Sequence, residues 1–137
     1  MRVPTSIEFH HKSRVMDITF DESKYSLTYE FLRVFSPSAE VRGHTPDEAK
    51  LQVGKKEVDI RDIRPVGEYA LQITFSDGHN SGIYSWDWLE HLCLNQDELW
   101  SQYLHNLQEA GASRNPCDPN NRKFLEEENR PKCPSHH

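Results

Sequence analysis

Two imidazoles and one carboxylate, His79, His44 and Glu40, make the donor set with which a non-haem site holds Fe(II), if the chain brings them to one point. They belong to two short polar runs, LRVFSPSAEVRGH at residues 32–44 and FSDGHNSGIYSWDWL at residues 75–89. The same runs carry Arg33, Ser36, Ser38, Arg42, Asp77 and Trp86. A core that needed only to pack would not require so many hydrogen-bonding and ionisable side chains there. Loops on a rigid scaffold are where binding residues collect, so these side chains together form a candidate binding surface.

Each residue also has a plainer role open to it. His79 can hydrogen-bond the Ser36–Ser38 loop instead of an ion. A guanidinium offers a fixed two-donor fork, so Arg33 and Arg42 can clamp a carboxylate or phosphate on a partner. They can equally be solvated or tied to Asp77 and Glu40, and an exposed pairing of that kind stabilises little. Trp86 and Trp88, two residues apart, cannot share a helical face; one belongs to the core and the other is half-exposed, where it can anchor a partner.

Other constellations are weaker. His10 and His11 point to opposite sides of a strand and would not chelate one ion together. Cys133, His136 and His137 sit at a terminus, where a metal-binding tuft has little to fix its geometry. There is no Ser–His–Asp set, P-loop or GxGxxG fingerprint, and Gly78 and Gly82 read as hairpin glycines.

The elements that must position these residues are legible from periodicity. Residues 7–11 and 14–20 read as strands, the second alternating Val15, Asp17, Thr19 against Met16, Ile18, Phe20. A polar turn at residues 21–24 leads to a third strand at 25–29, giving an antiparallel meander. Phe31, Leu32 and Phe35 place a short helix over residues 30–35. Ser36 as N-cap and Pro37 at the first helical position predict a further turn, stopped by Gly43. A strand over residues 58–63 ends at Pro65 and Gly67. Residues 69–75 form the clearest strand, with Tyr69, Leu71, Ile73 and Phe75 on one face, and Asp77-Gly78 turns the chain into a returning strand at 81–84. Ser85 caps a short helix carrying Trp86, Trp88, Leu89 and Leu92. Asn95 with Glu98 has the capping-box pattern and opens a last helix, ended by Gly111. From Ala112 onward prolines and a Glu run replace large apolar residues, so residues 112–137 read as a largely disordered tail behind a domain at 1–111.

Composition bounds the function. A length of 137 residues fits one domain with an appendage. The formal net charge of −6 argues against nucleic acid, which needs a basic footprint. No apolar stretch approaches the roughly 18 residues that span a bilayer, so no membrane role is expected. The N-terminal MRVPTSIEFHH lacks the apolar heart of a secretory signal, and a cytoplasmic protein is expected. Cys93, Cys117 and Cys133 contain no CxxC pair and read as free thiols, Cys93 within an apolar helical context.

Taken together, LRVFSPSAEVRGH, GKKEVDIRDIRPVGEYALQITFSDGH and GIYSWDWL resemble the small bacterial proteins built from the gamma-butyrobetaine hydroxylase-like N-terminal domain, the DUF971 family. The likeness spans residues 4–92. In the eukaryotic hydroxylases this module precedes a separate Fe(II)/2-oxoglutarate domain, for which this chain has no room. It is also found fused to Mrp-type P-loop ATPases that carry iron–sulfur clusters. The resemblance implies an accessory module linked to iron enzymes or their assembly. It further implies a structural zinc held by three cysteines and one histidine. In this chain Ser36, Ser38 and Val41 fall where the thiolates would be, and only His79 matches. A hydroxyl is a poor zinc ligand and a valine is none, so zinc is not expected here.

The expected fold class is α+β: a mainly antiparallel sheet of about six strands, short helices and a C-terminal helix. The expected function is a non-catalytic accessory or adaptor binding module, more a docking surface than an enzyme in its own right. Its partner would be a protein, an Mrp-type iron–sulfur ATPase or an iron enzyme. The alternative is an iron-binding protein or minor oxidoreductase using His79, His44 and Glu40. In a third reading the polar motif only stabilises the fold.

Overall fold

The computed structural model describes residues 2–42 and 50–125. The alternation seen in the sequence builds its first sheet. Met16, Ile18 and Phe20 are buried while Val15, Asp17 and Thr19 lie half-buried on the other face. This strand, β2 (Val15–Phe20), is the centre of an antiparallel meander with β1 (Ser6–His10) and β3 (Ser23–Thr28). The chain then leaves the sheet at once, because the Thr28 hydroxyl accepts from the Phe31 amide at 3.0 Å and caps α1 (Tyr29–Val34). All six residues of α1 are buried.

A second meander follows, β4 (Ile60–Val66), β5 (Ala70–Phe75) and β6 (Ile83–Ser85). The fold is α+β, as expected, but the strands form two three-stranded sheets and not one. Departure of the chain into α1 after β3 separates them. The two sheets still share one core, in which Met16, Ile18 and Leu27 join Ile73, Phe75, Tyr84, Leu89 and Leu92. Each large side chain so buried is worth about 1.5–3 kcal/mol of transfer free energy.

Three boundaries differ from the sequence reading. Pro65 lies within β4, opposite Leu71, and is tolerated because β4 is an edge strand. Tyr69 is exposed in the turn before β5 and belongs to no buried face. Asn95 makes no side-chain cap on α4 (Gln96–Ala110); its Nδ2 instead donates to the His91 carbonyl at 2.9 Å, closing α3 (Trp86–Leu94). Ser85 caps α3 and Gly111, at φ 68°, ends α4, both as expected.

The segment after Gly111 is where expectation and structure part most. Residues 112–125 pack onto the domain. Gly54 and Lys56 amides donate to the Ser113 and Arg114 carbonyls at 3.0 and 3.1 Å. Arg114 makes two 2.7 Å bonds to the buried carboxylate of Glu30. Asn121, 1% exposed, ties the loop together through both ends of its amide, and a 3-10 helix (Pro119–Phe124) brings Phe124 and Leu125 against Val34, Val53, Tyr103 and Leu107. Few residues of that stretch are apolar, but their polar atoms find fixed partners. Cys117 is disulfide-bonded, a correction to the reading of three free thiols, whereas Cys93 is free and buried. Cys133, His136 and His137 lie outside the described residues, as do Gly43 and His44. Among the described residues no helix is long and apolar enough to cross a membrane.

Candidate functional site

The two polar runs meet. After α1 the chain turns through Ser36, Pro37 and Ser38 into the single turn of α2 (Ala39–Arg42). Ser38, not Ser36, is its N-cap: the Ser38 carbonyl accepts from the Val41 and Arg42 amides, and its Oγ from the Glu40 amide at 3.2 Å. That shift frees Ser36 Oγ to accept from the Ser38 amide at 3.3 Å and to lie 2.8 Å from His79 Nε2. His79 is delivered by a tight hairpin, in which Gly78 takes φ 90° and the Asp77 carboxylate accepts from the His79 amide. Ser38 Oγ also meets Ser81 Oγ at 2.6 Å.

A charged layer supports this knot. Arg33, buried, donates to Asp77 at 2.9 Å and to Gln52 at 2.9 Å. Lys55 reaches the same Asp77 oxygen at 2.6 Å. Burial alone would raise the Asp77 carboxyl, but the two cations outweigh it and hold the group down at about 2. Burial pushes Lys55 below its ordinary value, helped by Arg33. Burial, with Arg33 next, takes the His79 imidazole down to about 4, against the weaker pull of Asp77 and Glu40. His79 is therefore neutral at ordinary pH, and the geometry fits Nδ1–H turned to Glu40, 3.5 Å away, with Nε2 accepting from Ser36.

Packing here is tight. A Cβ on Gly82 would overlap Ser36 Oγ and press on Tyr84 Cε1 at 3.2 Å, with Pro37 Cδ in ordinary contact at 3.5 Å. Tyr84 is itself pinned through its hydroxyl to the Leu32 carbonyl. The expected result for Gly82→Ala is a loss of about 1–3 kcal/mol in urea unfolding. An unchanged midpoint would mean that the serine loop slides off the hairpin at no cost.

Several sequence candidates are thus brought together, but mostly inside. Arg33, Ser36, Ser38 and His79 are buried and paired with one another or with Asp77. Arg33 offers no free fork to a partner, which corrects the clamp reading for that residue. Trp86 is the core tryptophan, buried with its Nε1–H on the Glu68 carbonyl at 2.7 Å, and leaves the binding surface. Trp88 is the half-exposed one. Glu40 and Arg42 face solvent. Lys55, Gln52 and Ser81 escaped sequence reading; a lysine beside a turn glycine gives no sign of a partner at residue 77.

The residues present fit zinc poorly. Ser36 and Ser38 offer hydroxyls already bonded, and Val41 puts a buried isopropyl where a donor is required. Toward iron the described residues supply His79 and Glu40 alone. The one grouping of three ligand atoms among the described residues is elsewhere: Glu8, His10 and Asp17, on the exposed face of β1 and β2. There Asp17 is held by Ser26 at 2.6 Å and His10 at 3.0 Å, with Lys24 3.5 Å away, the pattern of a cross-strand ion-pair ladder. His11 turns instead to the Tyr29 hydroxyl at 3.3 Å, so the two adjacent histidines do not converge.

Beside the knot opens a groove of about 530 Å³. Phe35, Val41, Trp88, Leu99 and Tyr103 give it an apolar lining, and Arg42 and Lys50 stand on it as cations. The Trp88 ring is fixed by its Nε1–H on the Phe35 carbonyl at 2.9 Å, with the Arg42 guanidinium 4.8 Å above it. Trp88→Phe is expected to lower stability by about 1 kcal/mol, because that carbonyl loses its donor. An equal urea midpoint would show that water replaces the indole without cost.

A family model described as gamma-butyrobetaine hydroxylase-like, N-terminal, matches residues 7–90. One solution NMR structure is 45% identical, with 86% of this chain and 94% of that one covered at a TM-score of 0.76. A second is also 45% identical, covering 83% and 86% at a TM-score of 0.71. A crystal structure of a protein of unknown function from Acidithiobacillus ferrooxidans, placed in the DUF971 family, is 39% identical and covers 65% and 90% at 0.55. No curated protein matches.

Proposed function

Since the chain belongs to the gamma-butyrobetaine hydroxylase-like N-terminal (DUF971) family, we propose that it is a non-catalytic docking module that offers the groove beside the serine–histidine knot to a protein partner. One observation carries this reading. Arg33, Asp77 and His79 of the two polar runs are engaged with partners inside the fold, while the described part of the adjoining groove is open, apolar and edged by two cations. A reactive centre needs a group poised for substrate, whereas a docking surface needs exposed apolar area with a polar rim. The knot then serves as the scaffold that fixes the groove wall at Val41 and Arg42. The resemblance directs the search for the partner to Mrp-type iron–sulfur ATPases and iron enzymes, and the setting would be the cytoplasm.

A photo-crosslinking residue placed at Gln102, on the groove, tests this against one placed at Arg61, an exposed residue of β4 outside it. With the purified candidate partner, a discrete adduct is expected from Gln102 alone, and Leu99→Glu should suppress it while the fold is kept. Adducts equal at both positions, or none at Gln102, end the docking reading.

The iron alternative keeps one observation in its favour, the 3.5 Å approach of Glu40 to His79 Nδ1. Titration of tag-free protein with Fe(II) and with Zn(II) addresses it. No binding below the millimolar range, and a metal content that His79→Ala leaves unaltered, would remove that alternative.

A further inference from the structure

We infer that the groove takes an acidic segment of a partner protein, with one large apolar side chain of that segment seated against Trp88, Leu99 and Tyr103 and its carboxylates on Arg42 and Lys50. This rests on the docking reading and adds the chemistry of the occupant. The chain as a whole is acidic, with 22 Asp and Glu against 16 Lys and Arg. The described lining of the groove reverses that balance: it contains two cations and no carboxylate.

The state of those cations separates them from the others nearby. Arg33 and Lys55 both hold Asp77, and Arg114 holds Glu30. Arg42 and Lys50 have no carboxylate within ion-pair distance among the described residues. Arg42 rests on the Trp88 face, which orders the guanidinium without neutralising it. The acid next in α2, Glu40, is turned to His79. An ordered cation above a half-exposed aromatic floor suits a carboxylate that follows an apolar anchor, since the anchor excludes water from the pair and strengthens it. Backbone tethers hold the two sides in register, because the Lys50 amide donates to the Val41 carbonyl at 2.9 Å. A groove of about 530 Å³ is within the size range, roughly 300–1,000 Å³, of sites that enclose a compact ligand group.

The probe is a set of short fluorescein-labelled peptides: one tryptophan among Asp, Glu and Ser; the same with Ala for Trp; and the same with Lys for each acid. Anisotropy against full-length protein should show saturable binding of the first only, weakening as salt rises. Arg42→Glu/Lys50→Glu should weaken it about tenfold or more and bind the Lys peptide better than wild type does. Both positions are exposed, and circular dichroism checks that the variant is folded. Wild type binding the Lys peptide as well as the acidic one overturns the proposed chemistry, while the Gln102 adduct would still uphold docking. Failure of both peptides together with loss of that adduct overturns both. A Gln102 cross-link to a second copy, or to residues 126–137 of the same chain, assigns the groove to this protein itself and overturns the inference.

Discussion

As pH falls from 6.5 to about 4, the domain is expected to lose about 3 kcal/mol of stability, and His79→Gln should remove most of that slope. The imidazole is buried beside Arg33, so the folded protein resists its protonation until about 4. The unfolded chain takes up the same proton near 6.5. Between those values the unfolded state binds more protons than the folded one, and acid pulls the equilibrium toward it. The loss builds through this window and levels off below it. In structural terms a protonated Nε2 can no longer accept from Ser36, and the new charge faces a guanidinium in a site with little water. Asp77 acts in a separate window. Its folded value is depressed, so its contribution is complete above the ordinary 3.8 and is lost as pH falls toward 2. Urea midpoints at a series of pH values distinguish the two descents, if the m-value stays constant. Wild type and His79→Gln falling in parallel from pH 7 to 4 would show that the ring titrates freely.

Local pattern made much of this architecture legible. Strict alternation at residues 15–20 leaves one way to bury Met16, Ile18 and Phe20, and a Gly–turn pair after Phe75 leaves one way to return the chain. Those are short-range constraints, fixed by side-chain period and backbone sterics. The convergence of Ser36 with His79 was also readable, but only because a resemblance tied the two loops together; spacing alone does not relate residues 43 positions apart. What escaped was decided by contacts between distant segments. Nothing near Pro65 says that its strand is an edge. Nothing near Trp86 says that the Glu68 carbonyl awaits its N–H. Ser36 and Ser38 are equal candidates for a cap until the histidine claims the first.

The same distinction separates scaffold from surface at the site. Residues chosen from sequence for their chemistry were placed on a surface because they are polar, yet a polar group can be buried when every donor and acceptor is matched. Arg33 is the clearest case, with Asp77 and Gln52 on its guanidinium. A guanidinium neutralised inside the fold cannot also greet a ligand. Arg42 and Trp88, by contrast, are left incompletely covered, the first exposed and the second half-buried beneath its guanidinium.

Arg114→Ala is expected to cost about 3 kcal/mol, the low end for breaking a buried pair, since the arginine itself is 37% exposed while Glu30 is 7% exposed. Composition placed Arg114 in a disordered tail, where the substitution would change nothing measurable. In the fold it supplies both donors to a carboxylate in the first turn of α1, and its guanidinium also lies 5.2 Å from the Trp100 ring. Removing it leaves the Glu30 carboxyl buried and without its two charge-assisted bonds. Removing both charges should do less harm: Glu30→Met/Arg114→Met deletes the attraction but also the desolvation it offset, so much of the loss should return. The backbone bonds from Gly54 and Lys56 to Ser113 and Arg114 remain in both variants, which keeps the strap in place and makes the comparison one of side chains. Urea unfolding of wild type, Glu30→Met, Arg114→Met and the double closes the cycle. A coupling near zero, or an Arg114→Ala loss no larger than that of an exposed ion pair, would mean that this segment lies on the domain without supporting it.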